Sequence, residues 1–312
     1  MGRKEPAPVL VHVDTDFAGD TDDACAVAML LGWPGVEVVG ITTTADPDGR
    51  RAGYLAYFLQ LAGRSDIPIA AGGPVSLTTG RRMGGLPDHG RFWGVPVPAR
   101  PSPPGAAADL LARGVDRGAT VVAIGPYTNL AALNGRLADA TVVAMGGWVR
   151  PPPPDLPPWG PEMDWNVQCD TRAATTLLER AGSLTLVALP PTLRAHLRAA
   201  HLDRLAGSGP LGVLLARQAR AHGAEHRMGA LGAAYTGLPD DLLNFQYDPV
   251  AGAVAAGWPG ATVVRERLAA AFSGTVLRFE PDPAGRPVRV LVDVDGTAFA
   301  AVWLEAVEAA QR

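Results

Sequence analysis

Residues 11–30, VHVDTDFAGDTDDACAVAML, hold five carboxylates, Asp14, Asp16, Asp20, Asp22 and Asp23, within ten positions. A short apolar run, 9–13, comes before them, and strong helix formers without a breaker, 24–31, come after. The pattern predicts strand, glycine-containing loop, helix. The carboxylates then lie beyond the carboxyl end of a strand and at a helix N-terminus, where open α/β sheets bind ligands. Charges packed this closely repel one another, so some stay protonated or a cation compensates them. A helix dipole offsets only about 0.3–1 kcal/mol per charge. A divalent ion is the simpler answer, and an all-oxygen donor set favours a hard one, calcium or magnesium. A solvated N-cap would need only one or two aspartates. An EF-hand would need a glutamate at the end of a fixed loop, and none is there.

The rest of the chain repeats the same alternation. Strands are predicted at 36–44, 67–71, 119–124, 140–145, 183–189, around Val263, and at 288–294. Helices are predicted at 51–63, 106–117, 130–137, 171–181, 193–206, 211–221, 250–256 and 297–310. Strands alternating with helices give an α/β fold with a central, mostly parallel, Rossmann-like sheet flanked by helices and joined by right-handed crossovers. One domain, 1–312, is expected, with loop excursions at 74–104 and 148–163. The first excursion contains Asp88-His89-Gly90-Arg91-Phe92-Trp93-Gly94, and a loop so long and aromatic suggests a lid over a site. The second carries seven prolines and two tryptophans, which no regular element survives. Further carboxylates fall at element boundaries, Asp46 after the second strand and Asp248 beside Tyr247. His222-Gly223-Ala224-Glu225-His226 has the order of an H-x-x-E-H zinc motif, but Gly223 weakens the helix that such a motif needs. Pocket lining or a solvent-facing position is the expectation for those two histidines.

Bulk properties exclude several classes. The net charge of −4 leaves no electrostatic footprint for nucleic acid. Cys25 and Cys169 are too few and too far apart for a disulfide framework, and Cys25 reads as a small core residue. The first residues contain too short an apolar run for a signal peptide, and Pro6 stands where a myristoylation signal after Met1-Gly2 wants Ser or Thr. No stretch is apolar enough to span a membrane. A cytoplasmic protein is expected.

These motifs resemble the inosine-uridine-preferring nucleoside hydrolase family. Asp14-Thr15-Asp16, Asp20 and Asp22-Asp23-Ala24 are similar to its aspartate signature, with Ala18 at a glycine position. Ile124-Gly125-Pro126-Tyr127-Thr128-Asn129, Met145-Gly146-Gly147, Asp164-Trp165-Asn166 and Asp248 follow in family order over nearly the whole chain. The resemblance implies the nucleoside hydrolase fold and a dimer or tetramer. It also implies Ca²⁺ held by Asp16, Asp23, the Ile124 carbonyl and Asp248, with Asp16 as the general base. Asp22, Asp164 and Asn166 would contact the sugar of a small-molecule nucleoside, and Met145 would also bind the substrate. Many members have a histidine before the last aspartate as leaving-group acid, and here Tyr247 stands there. Tyr247 and Asp46 place the chain nearer the purine-preferring branch, where aromatics stack on the base. Trp93 and His89, in the first excursion, are the other candidates to contact it. Two rival readings are a non-catalytic or altered sugar-binding protein on the same scaffold and an aspartate-based phosphatase. The second needs a distal lysine, yet Lys4 is the only lysine.

Overall fold

β1 (Val9–Thr15) runs through the middle of the sheet, with β2 (Val36–Thr43) on one side and β4 (Thr120–Ala123) on the other, both parallel to it. The computed structural model describes residues 7–312, so the readings at Met1, Gly2, Lys4 and Pro6 lie outside the described residues. The other strands are β3 (Ile69–Ala71), β5 (Thr141–Met145), β6 (Ser183–Val187), β9 (Ala261–Ser273), β10 (Val276–Pro281) and β11 (Arg286–Val294). Their order in the nine-stranded sheet is β10-β9-β11-β6-β5-β4-β1-β2-β3. From β3 to β11 every neighbouring pair is parallel, and β9 runs against its neighbours, pairing antiparallel with β11 on one side and β10 on the other. The architecture is a single α/β domain around a mostly parallel, Rossmann-like sheet. The chain steps outward from β1 to β3, then returns to the other side of β1 at β4. That reversal opens a crevice outside the carboxyl ends of β1 and β4, the place where doubly wound sheets bind ligands.

Alternation along the strands divides the core in two. In β4, Val121 and Ala123 pack into one apolar cluster while Val122 belongs to the other. The Asp22–Gly32 helix is buried almost all round, because the Tyr247–Ala255 and Gly296–Ala309 helices both pack on it. The Trp303 indole N–H reaches the Cys25 carbonyl at 3.2 Å across that contact. Cys25 and Cys169 are both free thiols, and Cys25 is a buried core residue. Among the described residues no helix is long and apolar enough to cross a membrane.

Three local expectations are corrected. The helix expected at 193–206 is instead a short Leu189–Thr192 helix, β7 (His196–Arg198) and a Leu202–Gly207 helix. β7 pairs antiparallel with β8 (Leu242–Phe245), an offer of backbone partners that local propensity does not reveal. The helix expected at 130–137 breaks at Asn134, whose φ of 51° is left-handed. β10 is an additional strand, folded back on β9 through a tight turn at Gly274, where φ is 60°.

Candidate active site

The five clustered aspartates separate into four environments. Asp14 ends in the floor of the sheet, where its Oδ1 accepts from the Thr42 hydroxyl and from Asn129 Nδ2 at 2.8 Å. Burial raises its carboxyl to about 7. Asp16, the first residue after β1, lines a cavity of about 620 Å³ at the switch point, well within the size range of small-molecule sites. Its Oδ2 accepts from the Trp165 indole N–H at 3.0 Å. Asp20 accepts from Asn244 Nδ2 at 2.6 Å and faces His222 Nε2 at 3.3 Å. Asp22 and Asp23, in the first turn of the helix, point into the cavity together with Asp248.

Asp22, Asp23 and Asp248 each bring a carboxylate oxygen within 4.8 Å of the other two, and all three are buried. No lysine or arginine among the described residues pairs with them. Burial first, and then repulsion from neighbouring carboxylates, Asp16 and Asp20 among them, pushes all three carboxyls well above the ordinary range. Three buried, unneutralised oxygen donors converging on one point fit a hard divalent cation. Asp23 and Asp248 belong to the donor set expected from the sequence, and Asp16, the third aspartate of that set, lines the same cavity beside this trio. Ile124, directly after β4, also lines the cavity. Its N–H donates to the Asp14 carbonyl at 2.8 Å, which ties the ends of β1 and β4 together.

The loop that carries Asp16 is fixed by a residue the sequence reading did not single out. Arg51 is 1 % exposed. Its guanidinium donates to the Asp16 carbonyl, to Phe17 O at 2.9 Å, to Ala45 O at 2.9 Å and to Gly85 O at 3.1 Å. These bonds let Ala18 hold a left-handed φ of 69° where a glycine was expected. Arg51→Met should leave buried carbonyls without donors and lower stability by at least about 3 kcal/mol. Chemical denaturation would measure it, and a loss no greater than the roughly 0.5 kcal/mol of a surface substitution would refute this role.

The remaining predicted residues fall into two groups. Asp22, Met145, Asp164, Asn166 and Tyr247 line the cavity with the carboxylates. Asn166 Nδ2 donates to the Met145 carbonyl at 3.1 Å. Asp164 caps the Trp165–Cys169 helix by accepting from Val167 N, and it also accepts from Gly147 N. Burial raises its carboxyl to about 6. Tyr247 stacks on Phe245 with ring centroids 5.4 Å apart, and Trp159 meets Phe245 edge-on, so the cavity has an aromatic wall.

Asp46, His89 and Trp93 do not line the cavity. Asp46 is buried and fully committed, with Thr43, Arg51 N and Ala52 N all donating to it at the start of the Arg50–Leu61 helix. Trp93 is core, stacked on Tyr54 at 4.4 Å, and His89 Nδ1 lies 2.8 Å from the Tyr54 hydroxyl. The first excursion gives Gly85 to the cavity wall but sends its aromatics inward, where Trp93 meets Tyr54, Phe17 and Tyr57. The second excursion instead contributes Trp159 and Met163 to the cavity. His222 and His226 line it too, whereas Glu225 pairs with Arg91 outside, so the H-x-x-E-H order does not close on a metal. Gly223 is required there for packing: a Cβ would lie 2.8 Å from a Leu243 methyl.

The profile of the inosine-uridine preferring nucleoside hydrolases matches residues 11–301. The chain belongs to that family. It is a nucleoside hydrolase, an enzyme acting on the N-glycosidic bond. Among solved structures it is similar to a plant nucleoside hydrolase at 24% identity, covering 96% of this chain and 99% of that one with a TM-score of 0.79. It is also similar to a purine-preferring ribonucleoside hydrolase from Gardnerella vaginalis, with 21% identity, coverage of 97% and 99%, and a TM-score of 0.80. An inosine-guanosine nucleoside hydrolase aligns at 21% identity, 96% and 98% coverage, and a TM-score of 0.74. At these identities the likeness establishes the shared fold. No curated protein matches.

Proposed function

We propose that this nucleoside hydrolase releases free base and ribose from purine ribonucleosides and requires calcium. The observation that carries the reading is the buried trio Asp22, Asp23 and Asp248 at the foot of a cavity with an aromatic wall. The trio would hold the cation, with Asp16 and Ile124 on the same wall. A bound divalent ion supplies a water of lowered pKa and a template for sugar hydroxyls.

The chain's own groups account for the remainder. Burial raises the Asp16 carboxyl, a direction that suits a proton acceptor at neutral pH. The Trp165 indole fixes its Oδ2. Asp16 takes a proton from the attacking water as the glycosidic bond opens through an oxocarbenium-like state. Asn166, anchored on the Met145 carbonyl, presents its amide to the sugar beside Asp164. Tyr247, Phe245 and Trp159 form a flat apolar surface that suits a purine ring, where stacking is worth about 0.5–1.5 kcal/mol beyond area. Trp93 has no part in it. The preference printed for the Gardnerella vaginalis enzyme agrees with this reading. Assembly into dimers or tetramers is part of the same proposal.

The test is ribose release from inosine, adenosine, guanosine, uridine and cytidine, with calcium and with chelator. Purine turnover that chelator abolishes is the expected result. Turnover confined to uridine and cytidine would overturn the purine assignment. Calcium binding without turnover of any of the five would favour the sugar-binding alternative.

A further inference from the structure

A nucleobase departs slowly as an anion, so a proton must reach its ring nitrogen as the C1′–N bond breaks. The carboxylates lining this cavity are assigned above to the cation, to the attacking water and, at Asp164, to a helix cap, which leaves few groups to supply that proton. Arg51 commits its donors to four carbonyls. Tyr247 stacks its ring on Phe245 in the aromatic wall, as a surface for the base. Two histidines remain, His222 and His226, with ring centroids 4.4 Å apart at the end of the Pro210–Glu225 helix.

His222 is the one that is held in place. It is 6 % exposed and still lines the cavity. Its Nδ1 lies 3.0 Å from the Leu243 carbonyl, which can only accept, so that nitrogen carries a hydrogen. Its Nε2 faces Asp20 Oδ1 at 3.3 Å. Asp20 Oδ1 also accepts from Asn244 Nδ2 at 2.6 Å and from the Thr21 N–H, so it meets the ring as an acceptor. An acceptor at each ring nitrogen selects the doubly protonated imidazolium. Burial alone would disfavour that form, but the charge of Asp20 prevails. The groups facing the ring are Asp20 from the loop after β1, Glu225 and His226 from its own helix, and the neutral Leu243 from β8. The Nε2–Asp20 contact exceeds the roughly 2.7–2.9 Å of a fully formed charged hydrogen bond. The Nε2 proton can therefore be shared with an acceptor inside the cavity.

We propose that His222 protonates the departing nucleobase and that Asp20 is its positioning residue. This rests on the nucleoside hydrolysis proposed above. The C1′–N electron pair goes to the base nitrogen, which takes the Nε2 proton and leaves His222 neutral. The water oxygen bonds to C1′ and gives its proton to Asp16. Solvent then removes a proton from Asp16 and returns one to His222, so nucleoside and water become ribose and base.

The experiment compares inosine with p-nitrophenyl β-D-ribofuranoside, whose phenolate leaves without a proton. His222→Gln should lower kcat on inosine about 100- to 1,000-fold and change the nitrophenyl riboside by less than about threefold. Turnover of the second substrate also reports that the variant is folded. Asp20→Asn should show a smaller loss with the same selectivity between substrates. An equal loss on both substrates, or undiminished turnover of inosine by His222→Gln, overturns the assignment while leaving nucleoside hydrolysis intact. A wild-type enzyme that opens neither substrate overturns both readings.

Discussion

Asp23→Asn and Asp248→Asn should each yield a protein that is more stable than the wild type in chelator and inactive in calcium. Both carboxyls are buried and driven upward first by desolvation, then by neighbouring carboxylates. An amide keeps the shape and removes the charge that is unfavourable there. In Asp23→Asn the new amide oxygen would still accept from the Thr15 hydroxyl, which now donates to Asp23 Oδ1. The sign of the pH dependence follows. With their pKa raised on folding, these groups keep protons that the unfolded chain releases above about pH 4. In chelator, the wild type therefore loses stability as pH rises from there through the raised folded-state values. Calcium restores it by binding only the folded protein, about 2.7 kcal/mol at a free concentration 100 times Kd. Thermal melting at pH 5 and pH 8, with calcium and with chelator, reads all of this at once. Ribose release should fall more than about 100-fold, beyond the cost of losing a partner that merely supports a ligand. Variants less stable than wild type in chelator, or still stabilised by calcium, would dismantle the trio as a cation site.

Much of this was legible because charge in the wrong place is a strong signal. Five aspartates between an apolar strand and an apolar helix could be read directly as a ligand site, and the βα alternation fixed where it lies in the sheet. Separating their roles was not possible from spacing. Asp14 and Asp16 are two residues apart and on the same side of a strand in principle. Yet Asp14 is taken by Thr42 of β2 and by Asn129 of the short Thr128–Ala131 helix, while Asp16 lies past the last pairing residue. Asp46 gave the same signal, a carboxylate after a strand, but three nearby donors absorb it into a helix start. Trp93 was misplaced for a different reason. An aromatic in a glycine-bounded loop suggests either a lid or a plug, and only the presence of Tyr54 across the gap decides for the plug. Arg51 gave no local sign at all, because its partners are four backbone carbonyls that any sequence would provide. The H-x-x-E-H order marked two histidines that line the cavity, the placement expected for them. The partner of His222 is Asp20, some two hundred residues earlier in the chain.

Asp16→Asn should abolish turnover, with a loss of about 10²- to 10⁴-fold, and it should do so without unfolding the protein. The side chain makes a single hydrogen bond to protein, from Trp165, and an amide carbonyl can accept it. The loop itself is held through the backbone carbonyls of Asp16 and Phe17, which the substitution leaves in the grip of Arg51. Stability in chelator should rise slightly, since burial already disfavours the charge at this position. The calcium-induced rise in melting temperature, measured on the same variant, then divides the two roles that the sequence joined in one residue. A full rise leaves Asp16 as proton acceptor beside a site made by Asp22, Asp23 and Asp248. A lost rise makes it a fourth oxygen donor as well as the acceptor. Trp165→Phe separates the two further. It removes only the N–H that aims Asp16, from a side chain that is 52 % exposed. Turnover should fall while calcium binding is untouched. Turnover retained in Asp16→Asn would end the assignment of Asp16 as the base, whatever calcium does.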